Sequence, residues 1–109
     1  MQLIKEEVIK KMQERGYNYS LETRNQKNEP TELSFVNDDS GDKSGRFVIP
    51  TYLVTVNLLD GTFSFIYNSG TSINKLVTPS CGSFMNDEHF ERIEVKFAHD
   101  ASVLYKFGM

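Results

Sequence analysis

Cys81 is the one thiol in the chain, set in the run Thr78-Pro-Ser-Cys-Gly-Ser83 with His89 and His99 downstream. A thiol becomes a nucleophile when a neighbour lowers its pKa and a base lies within hydrogen-bond reach. The small residues around Cys81 would leave room for a substrate, and either histidine is the right kind of base. Against this, the run matches no cysteine-hydrolase signature, and one cysteine with two histidines occurs often by chance. An ordinary, partly buried cysteine is the expectation. Adding Asp87 or Asp100 to the same residues draws a metal site, but the spacings fit no zinc pattern. Two surface histidines are expected instead, with His99 on a hairpin turn.

Carboxylates offer the next candidates. The loop Asn37-Asp-Asp-Ser-Gly-Asp-Lys-Ser-Gly45 superficially suggests calcium. An EF-hand loop needs oxygen ligands at its first, third and fifth positions, glycine at the sixth and glutamate at the twelfth. Counting from Asn37 puts Asp42 at the glycine position and Val48 at the glutamate position; counting from Asp38 puts Lys43 and Ile49 there. The loop reads as solvated and acidic. Asp87, Glu88 and Glu91 are close enough in sequence to suggest acid–base work, yet a polar turn ahead of a strand explains them as well. Phosphate-loop, dinucleotide, nucleophile-elbow and HExxH patterns are all missing. No cofactor and no catalytic activity are expected.

The bulk properties narrow the field. A chain of 109 residues with 39% apolar and 25% charged residues is globular and sized for one domain, 1–109. One cysteine precludes an internal disulfide framework, which suits a reducing compartment. No apolar run approaches the ~18–20 residues of a membrane span, and Glu6 and Glu7 follow too early for a signal-peptide core. A cytoplasmic protein with no membrane contact is expected. The net charge of −3 argues against direct binding of nucleic acid. Acids gather in two segments, one around Asp38, Asp39 and Asp42 and one around Asp87, Glu88 and Glu91, whereas the first 27 residues lean basic. The eight Phe and five Tyr fall mostly on the same faces as Val, Ile and Leu, so they read as core.

The elements that would position these residues are legible as patterns. Ile4, Val8 and Met12 recur every fourth residue, with Leu3 and Ile9 beside them. Glu6–Lys10 and Glu7–Lys11 are favourable helical pairs, and Gly16 follows as a terminator. A helix over Gln2 to Arg15 is predicted. Tyr17, Tyr19 and Leu21, then Leu33 and Phe35, alternate as two strands across a polar connection from Asn25 to Pro30. Phe47-Val48-Ile49 ahead of Pro50 suggests a bulge or a sheet edge.

The segment from Thr51 to Tyr67 reads as a hairpin turning at Asp60-Gly61, with Leu58 opposite Phe63, Val56 opposite Phe65 and Val54 opposite Tyr67. Ser72 would cap a short helical turn through Leu76 and Val77. Ile93, Val95 and Phe97, then Val103, Tyr105 and Phe107, suggest a last hairpin centred on Asp100. The expected fold is α+β, one N-terminal helix packed on a curved antiparallel sheet of about six strands built from hairpins.

Elimination then favours binding over catalysis. The expectation is a protein-binding module, a small inhibitor or immunity-type protein that blocks a partner such as a nuclease or toxin. That partner is expected to be another protein, basic and nucleic-acid-binding, recognised by Asp38, Asp39, Asp42, Asp87, Glu88 and Glu91. The alternative is a cone-shaped ligand pocket or small enzyme site beneath the helix, opening near Tyr17, Tyr19, His89 and Tyr105, as in cystatin-like or nuclear-transport-factor-like architectures. A monomer is expected, or a homodimer joined by a strand edge near Pro50.

Overall fold

The alternation from Leu53 to Tyr67 builds the middle of the molecule. The computed structural model describes residues 2–37, 52–68, 75–78 and 82–106. In chain order these form α1 (Lys5–Glu14), β1 (Tyr17–Arg24), β2 (Pro30–Asn37), β3 (Leu53–Asn57), β4 (Phe63–Asn68), β5 (Lys75–Val77) and α2 (Asp87–Lys106). The strands pair antiparallel in sequence order, β1-β2-β3-β4-β5, as an open sheet of five. The α+β class holds, with five strands in place of six and a second helix in place of the last hairpin.

The β3–β4 register differs from the sequence expectation by two residues. Val56 pairs with Phe63, Thr55 with Ser64, Val54 with Phe65 and Leu53 with Ile66. The cause is Asn57. Its Oδ1 accepts from the backbone N–H groups of Leu59 at 2.8 Å and Asp60 at 3.2 Å. The Gly61 N–H donates to the Asn57 carbonyl at 3.0 Å. Residues 58–61 therefore wind into a longer turn, and Gly61 with φ 77° is its one positive-φ position. A slip of two leaves every side chain on its intended face. Val54, Val56, Leu58, Phe63, Phe65 and Tyr67 are all buried.

Two other elements shift for comparable reasons. α1 begins at Lys5 and not at Gln2, because the Leu3 N–H donates to the Leu58 carbonyl at 2.7 Å and holds residues 2–4 out of the helix. Val8 and Met12 are buried as expected, but Ile4 faces water. Gly16 ends the helix at φ 90°. In β1 a register shift between Tyr19 and Leu21 turns Leu21 outward, 61% exposed, and sets Glu22 opposite Leu33. Lys5 and Arg24 both pair with that Glu22 carboxylate.

The segment from Asp87 to Lys106 is one helix, not a hairpin about Asp100. Phe90, Phe97 and Ala101 are buried at helical spacing, with Ile93 and Leu104 packed beside them. Val95, which the strand pattern would bury, is 68% exposed. The predicted helical turn through Leu76 and Val77 is strand β5, with Val77 opposite Ile66 and Leu76 opposite Tyr67. Ser72, the 38–45 loop, Phe47 to Pro50, Cys81 and Phe107 lie outside the described residues.

Both helices cover the same face of the sheet. Aromatic rings fill the space between, with centroid separations of 4.8 Å for Phe63–Phe90, 5.2 Å for Phe65–Phe97 and 5.2 Å for Tyr52–Phe97. Each such pair adds about 0.5–1.5 kcal/mol beyond its burial.

Candidate functional site

The acidic segment at the start of α2 divides into one structural residue and two outward ones. Asn86 caps the helix, its Oδ1 accepting the His89 N–H at 3.0 Å. Asp87 then meets α1. Its carboxylate accepts from Lys11 Nζ at 2.8 Å and from Arg15 Nη2 at 2.6 Å. The Arg15 guanidinium lies 3.8 Å from the Phe90 ring centroid and 4.9 Å from that of Phe84. The hydrogen bond from Lys11, with Arg15 behind it, holds the Asp87 carboxyl below its ordinary range. Asp87 thus ties the two helices together. Glu88 and Glu91 are exposed. Asp38, Asp39 and Asp42 lie outside the described residues.

The candidate histidines separate. His99 lies on α2 and not on a hairpin turn, ten residues beyond His89, about 15 Å along the axis. His89 packs its ring against Phe63 at 5.8 Å, and its Nδ1 lies 3.1 Å from Arg92 Nη2. No group of three or more His, Cys, Asp or Glu suited to a metal occurs among the described residues.

At the far end of the ring stack Tyr17 donates its phenol to Glu94 of α2, and burial pushes the Tyr17 pKa well up. The phenol is thereby a fixed donor and not a base. Beside it the Tyr52 N–H donates to the buried Asn37 Oδ1 at 2.7 Å. Tyr17 and His89 do not share an opening, because the rings of Tyr52, Phe65 and Phe63 stand between them, each neighbour at 5.8–6.5 Å. Tyr19 is exposed, with its hydroxyl 3.3 Å from Glu22.

The other face of the sheet has no helix over it among the described residues. Val36, Leu53, Ile66 and Val77 are cross-strand neighbours there, an aliphatic row running over four strands. The next row is Leu21, Ser34, Thr55 and Ser64, in which the Thr55 and Ser64 hydroxyls bond each other at 2.7 Å. Alternation in the sequence already marks Leu53 and Ile66 as outward. It misses Val77, because only pairing with β4 defines β5.

Compared with protein-family models, with curated proteins and with solved structures, the chain matches none. No helix among the described residues is long and apolar enough to cross a membrane.

Proposed function

We propose that this chain is a non-catalytic protein-binding module, a small inhibitor or immunity-type protein that blocks or masks a basic macromolecular partner such as a nuclease or toxin. The observation that carries this reading is the set of large apolar side chains left in water on a fold whose interior is already filled. Leu53 and Val77 stand exposed on the bare sheet face, and Ile4, Leu59 and Met85 stand exposed elsewhere. Scattered single residues would need no explanation, but aligned or clustered ones favour a contact surface. The outward Glu88 and Glu91 and the net charge of −3 suit a partner rich in lysine and arginine. The pocket alternative has less behind it, because aromatic side chains occupy the space beneath the helices where its ligand would sit.

The test is copurification. Tagged full-length chain, expressed at native level in its host and isolated after mild crosslinking, should bring down one protein in stoichiometric amount. Size-exclusion chromatography with light scattering should then give a defined complex of the two purified components. Recovery of a small molecule bound to the monomer, with no protein partner, would overturn the reading.

A further inference from the structure

The sheet ends at β5, and the alternation of its hydrogen bonds fixes which main-chain groups point outward. The Thr78 N–H donates to the Phe65 carbonyl at 3.0 Å, and the Phe65 N–H donates to the Thr78 hydroxyl at 2.8 Å. Thr78 therefore turns its main chain toward β4, and so does Leu76 two residues earlier. Val77, opposite Ile66, falls between them, so its N–H and carbonyl point away from β4. Neither group has a hydrogen-bond partner among the described residues.

A cleft of about 210 Å³ opens along this edge. Leu76, Val77 and Thr78 line one side of it, and α2 lines the other through Ile93 and Phe97, with one charge of each sign in Lys96 and Asp100. Successive strand residues point to alternate faces, so three in a row line one cleft where it runs along their outer edge. Its volume falls below the roughly 300–1,000 Å³ that encloses a whole small-molecule ligand. A short strand with nothing beside it would be a blunted edge, but here the cleft adds a place for side chains. The opposite edge of the sheet is guarded. Two register shifts interrupt β1, and Lys5 and Arg24 close on its Glu22.

We propose that the β5 edge takes an added strand from a partner polypeptide, an extended segment with three successive aliphatic residues. The proposal rests on the protein-binding reading above and gives it a location. Main-chain geometry selects the occupant, because an extended chain presents N–H and carbonyl groups at the spacing that completes those of Val77. The partner residue opposite Val77 would lie on the bare face and lengthen the aliphatic row of Val36, Leu53, Ile66 and Val77 by one strand. Its two chain neighbours would turn to the covered side, into the cleft against Ile93 and Phe97.

Amide exchange and methyl NMR on the full chain test this with a defined probe. The probe is a capped synthetic peptide with leucine–valine–leucine between two serine–threonine pairs. Its control keeps every side chain but is N-methylated through the central three amides, which removes the strand's donors. The expected result is methyl shifts at Leu76, Val77 and Ile93 and slower exchange of the Val77 amide with the probe. The control should bind about tenfold more weakly, equivalent to ~1.4 kcal/mol. Val77→Pro removes an N–H that the fold does not use, and an edge strand accepts proline. It should keep the native spectrum elsewhere and lose the probe; if it fails to fold, the N-methylated control still decides. A Val77 amide already protected in the free chain, equal binding of the two peptides, shifts centred on Ile4 and Met85, or no binding would overturn the edge as the site. A dimer of the chain that V77P dissociates would give the edge to a second copy and overturn the partner. Copurification of a stoichiometric partner judges the underlying reading independently.

Discussion

The two faces of the sheet are made by the same strands and differ in everything but backbone. On the covered face Val54, Val56, Phe63 and Phe65 are sealed under two helices. On the bare face their immediate chain neighbours Leu53, Thr55, Ser64 and Ile66 meet water to differing degrees. One residue's step along the chain therefore separates a side chain that holds the molecule together from one released for other use. The covered face also carries the polar ties, Tyr17 to Glu94 and Asp87 to Lys11 and Arg15, along its margins. On the bare face the Thr55 and Ser64 hydroxyls bond each other at 2.7 Å. The contacts that stabilise the layer thus lie on its covered surface, and the opposite surface leaves Leu53 and Val77 exposed.

The strongest challenge to this contrast is Phe65→Ala. The ring is fully buried between Phe63, Phe90 and Phe97, and its loss should cost about 3–5 kcal/mol, read as a lower denaturation midpoint. A loss near zero would mean that α2 does not hold this face. Tyr17→Phe asks whether the margin matters. It strips the half-buried Glu94 of its donor and should cost about 1–3 kcal/mol in urea unfolding.

Asp87→Asn tests the second tie through pH. The Lys11 hydrogen bond, with Arg15 behind it, holds the folded-state pKa below the ordinary carboxylate range, so the tie's contribution is present above that range and is lost as pH falls through the folded value. Melting temperature plotted from about pH 5 down to pH 2 should therefore fall less steeply in the variant than in the parent. Parallel curves would dismiss the tie. The smallest effect belongs to the bare face. Leu53→Thr should change unfolding free energy by no more than about 0.5 kcal/mol, and a larger loss would show that this face has a structural role after all.

Much of the architecture can be read from local pattern. Tyr17 to Phe35 alternates around a polar connection whose Asn25 Oδ1 accepts from the Lys27 and Glu29 N–H groups at 2.9 Å and 3.0 Å, and it folds as the expected hairpin. The last segment misleads for a definable reason. Ile93, Val95 and Phe97 alternate with polar residues, but Phe90, Ile93, Phe97, Ala101 and Leu104 also recur at helical spacing in the same stretch. Asn86 as a cap, with Asp87 and Glu88 in the first turn, was the local signal that favours the second pattern. For the candidate site, the outward placement of Glu88 and Glu91 follows from composition. The engagement of Asp87 does not, because its partner Arg15 lies 72 residues away in sequence.

By itself the sequence determined which side chains of β3 and β4 share a face, since a period of two survives any register slip by two. It also determined where the chain reverses, since Gly16 and Gly61 take positive φ at little steric cost. Only the tertiary structure decided that residues 87–106 are helical, that Ile4 leaves the core, and that Asp87 is a tie between helices. Each of these depends on what the segment packs against: rings of β4 for Phe90 and Phe97, the Leu58 carbonyl for Leu3, and Lys11 and Arg15 for Asp87. Burial and pairing with distant partners outweigh local preference when both patterns are present in the same residues.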